Sequence, residues 1–157
     1  MAQEIAPIIM IAVVGATLAA LGIVGMLVAN RFKERRLECF LQSKELSAEW
    51  LAAASLTHSL RELALGLLIT LVVPIFTHFC LIGSASTTVS IIVGYLAAVL
   101  CSLGCFSRQR HDMESLGIGN EANTLKRILA FFAVSLALFL WGMLSLYVAI
   151  FFFLQQR

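Results

Sequence analysis

Three long blocks of this chain carry no Asp, Glu, Lys or Arg: Ile5–Ala29, Leu63–Ser107 and Ile128–Leu154. A helix needs roughly 20 apolar residues to span the hydrocarbon core of a bilayer, and each block reaches that size. Lipid offers no water to backbone N–H and C=O groups, so only helices and closed barrels cross it. A barrel requires short strands of alternating polarity, a pattern absent here. With 13% charged residues, the chain also falls well below the roughly 25% of a soluble domain. The expected fold is therefore all-α: an integral membrane four-helix bundle, a single membrane domain over residues 1–157.

The second block is long enough for two crossings, and its middle holds the turn-rich run Gly83-Ser84-Ala85-Ser86-Thr87. The expected spans are about 7–29, 63–82, 88–106 and 125–154, with charged segments 30–62 and 107–124 between them. Pro7 suits the first turn of helix one. Ser59-Leu60-Arg61-Glu62 has the form of a capping box opening helix two. Ser86 or Thr87 suits the start of helix three. Pro74 should kink helix two, because it removes one backbone bond. The last span would measure about 40 Å, so it tilts or extends beyond the lipid.

Charge placement sets the orientation. Segment 30–62 carries Arg31, Lys33, Arg35, Arg36, Lys44 and Arg61, and segment 107–124 with its flank carries Arg108, Arg110, Lys126 and Arg127. Four crossings place both segments on one side, which then holds every Lys and Arg except Arg157. By the positive-inside rule that side is cytoplasmic and both termini lie outside. The basic residues follow the first apolar run rather than precede it. Helix one is therefore expected to be an uncleaved span and not a signal peptide. Segment 30–62 mixes charge with Phe32, Leu37, Phe40, Leu41, Leu46, Trp50, Leu51 and Leu56. A helix leaving the membrane, a break near Gln42–Leu46 and a shorter amphipathic helix are expected. Either the membrane interface or a solvated hairpin against the second basic segment accommodates them.

Little in the sequence points to catalysis. No phosphate-binding Gly-rich loop, zinc-protease motif or nucleophile elbow is present, and Gly117-x-Gly119 reads as loop. No catalytic residue, metal ligand or cofactor site is assigned, and the chain is expected not to be an enzyme. The cations flank apolar spans instead of forming a groove for nucleic acid. No Asp, Glu, Lys or Arg lies within the charge-free blocks and His78 is their one histidine; it reads as an intramembrane polar candidate or as an interfacial histidine. His58 and His111 fall at the opposite side, which disfavours a bis-histidine haem. Cys39, Cys80, Cys101 and Cys105 read as small apolar residues rather than a disulfide framework.

Small residues suggest where helices approach closely. Ala12, Ala16 and Ala20, with Gly15 and Ala19, make small-xxx-small ridges on helix one that Gly22 and Gly25 extend, and Ser135, Gly142 and Ala149, with Ser145, recur on helix four. Such faces pack helices in lipid, either within one chain or against a partner. Phe131, Phe132, Phe139, Phe151, Phe152 and Phe153 are expected on an opposite, lipid-facing or assembly surface of helix four.

The stretch Arg31-Phe-Lys-Glu-Arg-Arg-Leu-Glu-Cys-Phe-Leu-Gln-Ser-Lys-Glu-Leu-Ser, followed by Leu60-Arg61-Glu62-Leu63-Ala64-Leu65-Gly66, resembles small bacterial inner-membrane proteins of unknown function. Those combine an N-terminal helix, a charged segment and a helical hairpin opened by L-R-x-G. The resemblance covers roughly residues 8–105. Glu45 stands where a Gly would be expected, Glu62 interrupts the L-R-x-G form, and the fourth helix is additional. The resemblance implies architecture and a bacterial inner membrane, with no activity attached.

The leading functional expectation is a non-enzymatic accessory or scaffold subunit. It would act through helix packing and a basic segment, Arg31, Lys33, Arg35 and Arg36. The expected partners are the lipid bilayer, anionic lipid head groups, and a membrane-protein partner or further copies of the chain in a homo-oligomer. The alternatives are a holin-like pore-former or small channel, and a redox or metal-binding subunit using His78 and the cysteines.

Overall fold

The computed structural model describes residues 2–42, 48–80, 86–115 and 122–155. All of them are helical, in four elements: α1 Ala2–Gln42, α2 Ala48–Cys80, α3 Ser86–Ser115 and α4 Ala122–Gln155. Each contains a stretch long and apolar enough to cross a membrane: Ile5–Arg36, Leu60–His78, Thr87–His111 and Lys126–Gln155. The segments 43–47, 81–85 and 116–121 lie outside the described residues. They include most of the expected break near Gln42–Leu46, most of the turn-rich run and the Gly117-x-Gly119 loop.

Helices are longer than the apolar blocks imply. α1 begins at Ala2, so Pro7 sits inside it rather than at its first turn. The lost bond falls near a helix start, where few intrahelical bonds exist to lose. α2 begins at Ala48 and runs unbroken through Ser59 and Glu62. The Ser59–Glu62 capping box is thus no helix start, and the shorter amphipathic helix expected before helix two is instead its N-terminal extension. Ala, Leu, Glu and Arg make up most of Ala48–Leu65, and their helical propensity favours continuation over a local cap. α3 likewise continues past Phe106 to Ser115.

The helices alternate in direction. α1 packs most extensively on α4, α3 packs on both α2 and α4, and α2 also touches α1 and α4; α1 and α3 lie on the longer diagonal. The α1–α4 seam is where glycine matters. A Cβ on Gly15 would lie 2.9 Å from the Gly142 carbonyl oxygen, and one on Gly22 would lie 2.5 Å from the Phe139 amide nitrogen. A Cβ on Gly142 would meet the Ala19 backbone nitrogen, and one on Gly25 the Ser135 hydroxyl. Ala149 is buried one further step along α4. Gly15, Ala19 and Gly22 therefore face Ser135 and Gly142 within one chain. Close approach brings many atoms into dispersion contact, a main source of helix association when lipid removes the hydrophobic difference.

The core centres on α4. Leu136, Leu140 and Leu144 recur one turn apart and are at most 1% exposed. Leu136 and Leu140 pack with Ala98 and Cys105 of α3 and with Ala19, Met26 and Ala29 of α1 in one apolar core. Phe132 and Phe139 belong to this core too, which corrects their expected place on an outward surface. Phe132, Leu136 and Phe139 share one face at spacings of four and three, and α4 has neighbours on several sides. Phe131 and Phe153 are exposed, whereas Phe151 and Phe152 are half-buried.

Buried hydroxyls are satisfied mostly within their own helix. Ser102 donates to the Ala98 carbonyl at 2.9 Å, Ser135 to the Phe131 carbonyl at 2.8 Å and Ser145 to the Trp141 carbonyl at 2.9 Å. Ser145 also bonds the Tyr95 hydroxyl at 2.7 Å, and the Trp141 indole N–H donates to the Tyr95 carbonyl at 3.3 Å, tying α3 to α4. Thr70 differs: its hydroxyl is buried with no hydrogen-bond partner. It stands one turn before Pro74, which has no N–H to offer the Thr70 carbonyl.

Candidate functional site

The principal polar feature inside the described bundle lies at the end where α1 and α3 finish and α2 and α4 start. Glu62 of α2 is 7% exposed and accepts a 2.6 Å hydrogen bond from Nη1 of Arg108 on α3, closing an ion pair between the two helices. Arg61 lies farther from the same carboxylate, at 4.0 Å. Arg108 keeps about half of its side chain exposed, so the pair has one buried and one surface member. That charge-assisted bond offsets part of the cost of burying the carboxylate.

The interior continues from that pair. Cys105 is buried one turn before Arg108 on the α3 sequence, and the Gln109 side-chain N–H donates to its sulfur at 3.3 Å. Gln109 is buried as well. Lys33 of α1 is 6% exposed and lies within electrostatic range of Cys105. The bundle end thus contains Lys33, Glu62, Cys105, Arg108 and Gln109 contributed by three helices.

The basic segment consequently divides. Arg31, Arg35 and Arg36 are exposed on α1, whereas Lys33 turns inward. Arg110 and Arg127 are exposed too, and Lys126 is half-buried. The outward cations form a rim around the polar interior. In the sequence Arg31, Lys33, Arg35 and Arg36 form one basic group and Glu62 has the position of a cap. The available signal for the difference was Glu62 directly abutting the second apolar block, where an unpaired carboxylate would be costly.

His78 lies near the other end. Its ring meets Phe151 edge-on, with centroids 5.7 Å apart, beside a cavity of about 110 Å³ bordered by Pro74, Ser90 and Tyr147. The cysteines of α3 sit at the basic end, so the structure does not bring His78 to Cys101 or Cys105. Cys80, Cys101 and Cys105 are free thiols. Among the described residues no three His, Cys, Asp or Glu side chains gather as a metal site.

A groove runs along the outside of α2 and α3 from the Glu62–Arg108 pair. It is about 660 Å³ in volume, with Leu65 and Ile69 on one wall and Leu96 and Leu100 on the other. Comparison with protein-family models, with curated proteins and with solved structures gives no match.

Proposed function

We propose that this protein is a non-enzymatic, multi-pass membrane protein that serves as an accessory or scaffold subunit. Its basic end faces the cytoplasm, in a bacterial inner membrane as the sequence resemblance implies. The observation that carries the reading is the split at that end. Arg31, Arg35 and Arg36 point outward while Lys33 and Glu62 are buried. An outward rim of guanidinium groups suits anionic head groups or an acidic partner surface, each cation adding about 1 kcal/mol near anionic lipid. The Glu62–Arg108 ion pair ties α2 to α3 beneath that rim.

This reading is favoured over a pore because the glycine faces on which an oligomer would draw are occupied within the chain by α1 and α4. Affinity purification in mild detergent followed by mass spectrometry tests it. A stoichiometric membrane partner, lost when Arg31, Arg35 and Arg36 are replaced by Gln, is the expected result. Recovery of the chain alone as a discrete oligomer, with ion conductance after reconstitution, would replace the scaffold with the pore.

A further inference from the structure

The α2–α3 groove combines a long apolar trough with a charge at one end. Its floor includes Gly66, Cys101 and Cys105, and its exposed walls are leucine and isoleucine. From Glu62 to Val73 it follows α2 for about 16 Å of helix. That is close to half of the roughly 30 Å hydrocarbon core, the depth of one leaflet. At the membrane-surface end stands Arg108, which gives one N–H to Glu62 and keeps about half of its side chain exposed. A guanidinium carries five donors in a planar fork, so engaging one carboxylate leaves an edge that suits a phosphate. Exposed Arg61, which precedes Glu62 on α2, and exposed Arg110, two positions after Arg108 on α3, add positive charge at the same end.

We propose that this groove binds one acyl chain of an anionic phospholipid from the leaflet on the basic side, with the lipid phosphate on Arg108. The inference rests on the membrane orientation given above and extends it from a diffuse basic rim to a defined lipid site. Charge complementarity and leaflet depth select a lipid over a helix from a second copy, which would not need a cation at one end. Gly104 is what leaves the trough open. A Cβ there would meet nothing within 4 Å, so a large side chain at this position fills the groove without displacing backbone.

The test is native mass spectrometry of the full chain in mild detergent. It is titrated with dioleoylphosphatidylglycerol or with dioleoylphosphatidylcholine, which share acyl chains and differ in head group. The wild type is expected to retain one phosphatidylglycerol with about a tenfold preference over phosphatidylcholine, the size of one charge-assisted contact. Gly104→Trp should lower retention of both lipids about tenfold or more. The double variant Glu62→Gln/Arg108→Gln, which removes both members of the ion pair together, should lose most of the preference for phosphatidylglycerol. Circular dichroism checks folding, and Leu100→Trp on the exposed wall replaces Gly104→Trp if that variant does not fold. Equal retention of the two lipids by the wild type, or unchanged binding in the groove-filling variant, overturns the proposal. So does a wild-type dimer that Gly104→Trp splits into monomers, which would assign the groove to a second copy. A chain that stays in the aqueous fraction without detergent sinks the membrane reading itself, whereas a membrane-embedded chain indifferent to lipid sinks only the groove.

Discussion

Glu62 and Arg108 are joined at 2.6 Å across α2 and α3, yet only Glu62 is buried. The asymmetry predicts unequal mutational costs. Arg108→Gln leaves a buried carboxylate without its strongest partner and should cost about 2 kcal/mol. Glu62→Gln leaves an arginine that water or head groups can solvate, and should cost less than about 1 kcal/mol. Thermal unfolding of both variants in one detergent checks the order, and a larger loss for Glu62→Gln would contradict the assigned burial.

The glycines divide by what a methyl group would strike. Gly22→Ala and Gly142→Ala place Cβ against backbone atoms of the opposing helix, which cannot rotate away. Each should destabilise by about 1–3 kcal/mol through overpacking. Gly104→Ala meets open space, and should gain about 0.5–1 kcal/mol from reduced backbone entropy. Melting temperatures of the three variants test the seam; equal behaviour of Gly22→Ala and Gly104→Ala would show that α1 and α4 do not approach so closely.

Leu140 is fully enclosed, whereas Leu27 is 60% exposed on α1. Leu140→Ala should cost about 2–4 kcal/mol by opening a cavity. Leu27→Ala should cost under about 1 kcal/mol, because lipid tails refill the vacated space. Matched unfolding curves in detergent measure the difference.

Thr70 carries a buried hydroxyl with no partner, one turn before Pro74. Thr70→Val keeps the branched shape and removes the unsatisfied oxygen, so it should stabilise the bundle by about 1 kcal/mol. A loss of similar size would mean that the hydroxyl is engaged in the native membrane.

The four helices were legible because charge-free blocks of membrane length allow few other structures, and Gly83–Thr87 divides the longest of them. The close seam was partly legible: Gly15, Gly22 and Gly142 mark thin surfaces, but their spacing does not say whether a partner or the same chain covers them. Helix ends were less legible. The Ser59–Glu62 pattern fits a cap locally, while its surroundings favour continued helix and its carboxylate finds Arg108, which lies 46 positions away in sequence. Lys33 and the exposed Arg31 and Arg35 differ only by rotation about α1. Composition treats all three alike, and only the placement of neighbouring helices separates them.

The central claim is a four-crossing bundle with its basic end in the cytoplasm. It is tested most directly by an alkaline phosphatase reporter, active only outside the cytoplasm, fused after Arg157 or inserted within residues 116–121. The account predicts activity from the C-terminal fusion and none from the insertion. An inactive C-terminal fusion with an active insertion would reverse the orientation, and equal activity from both would remove α4 as a crossing.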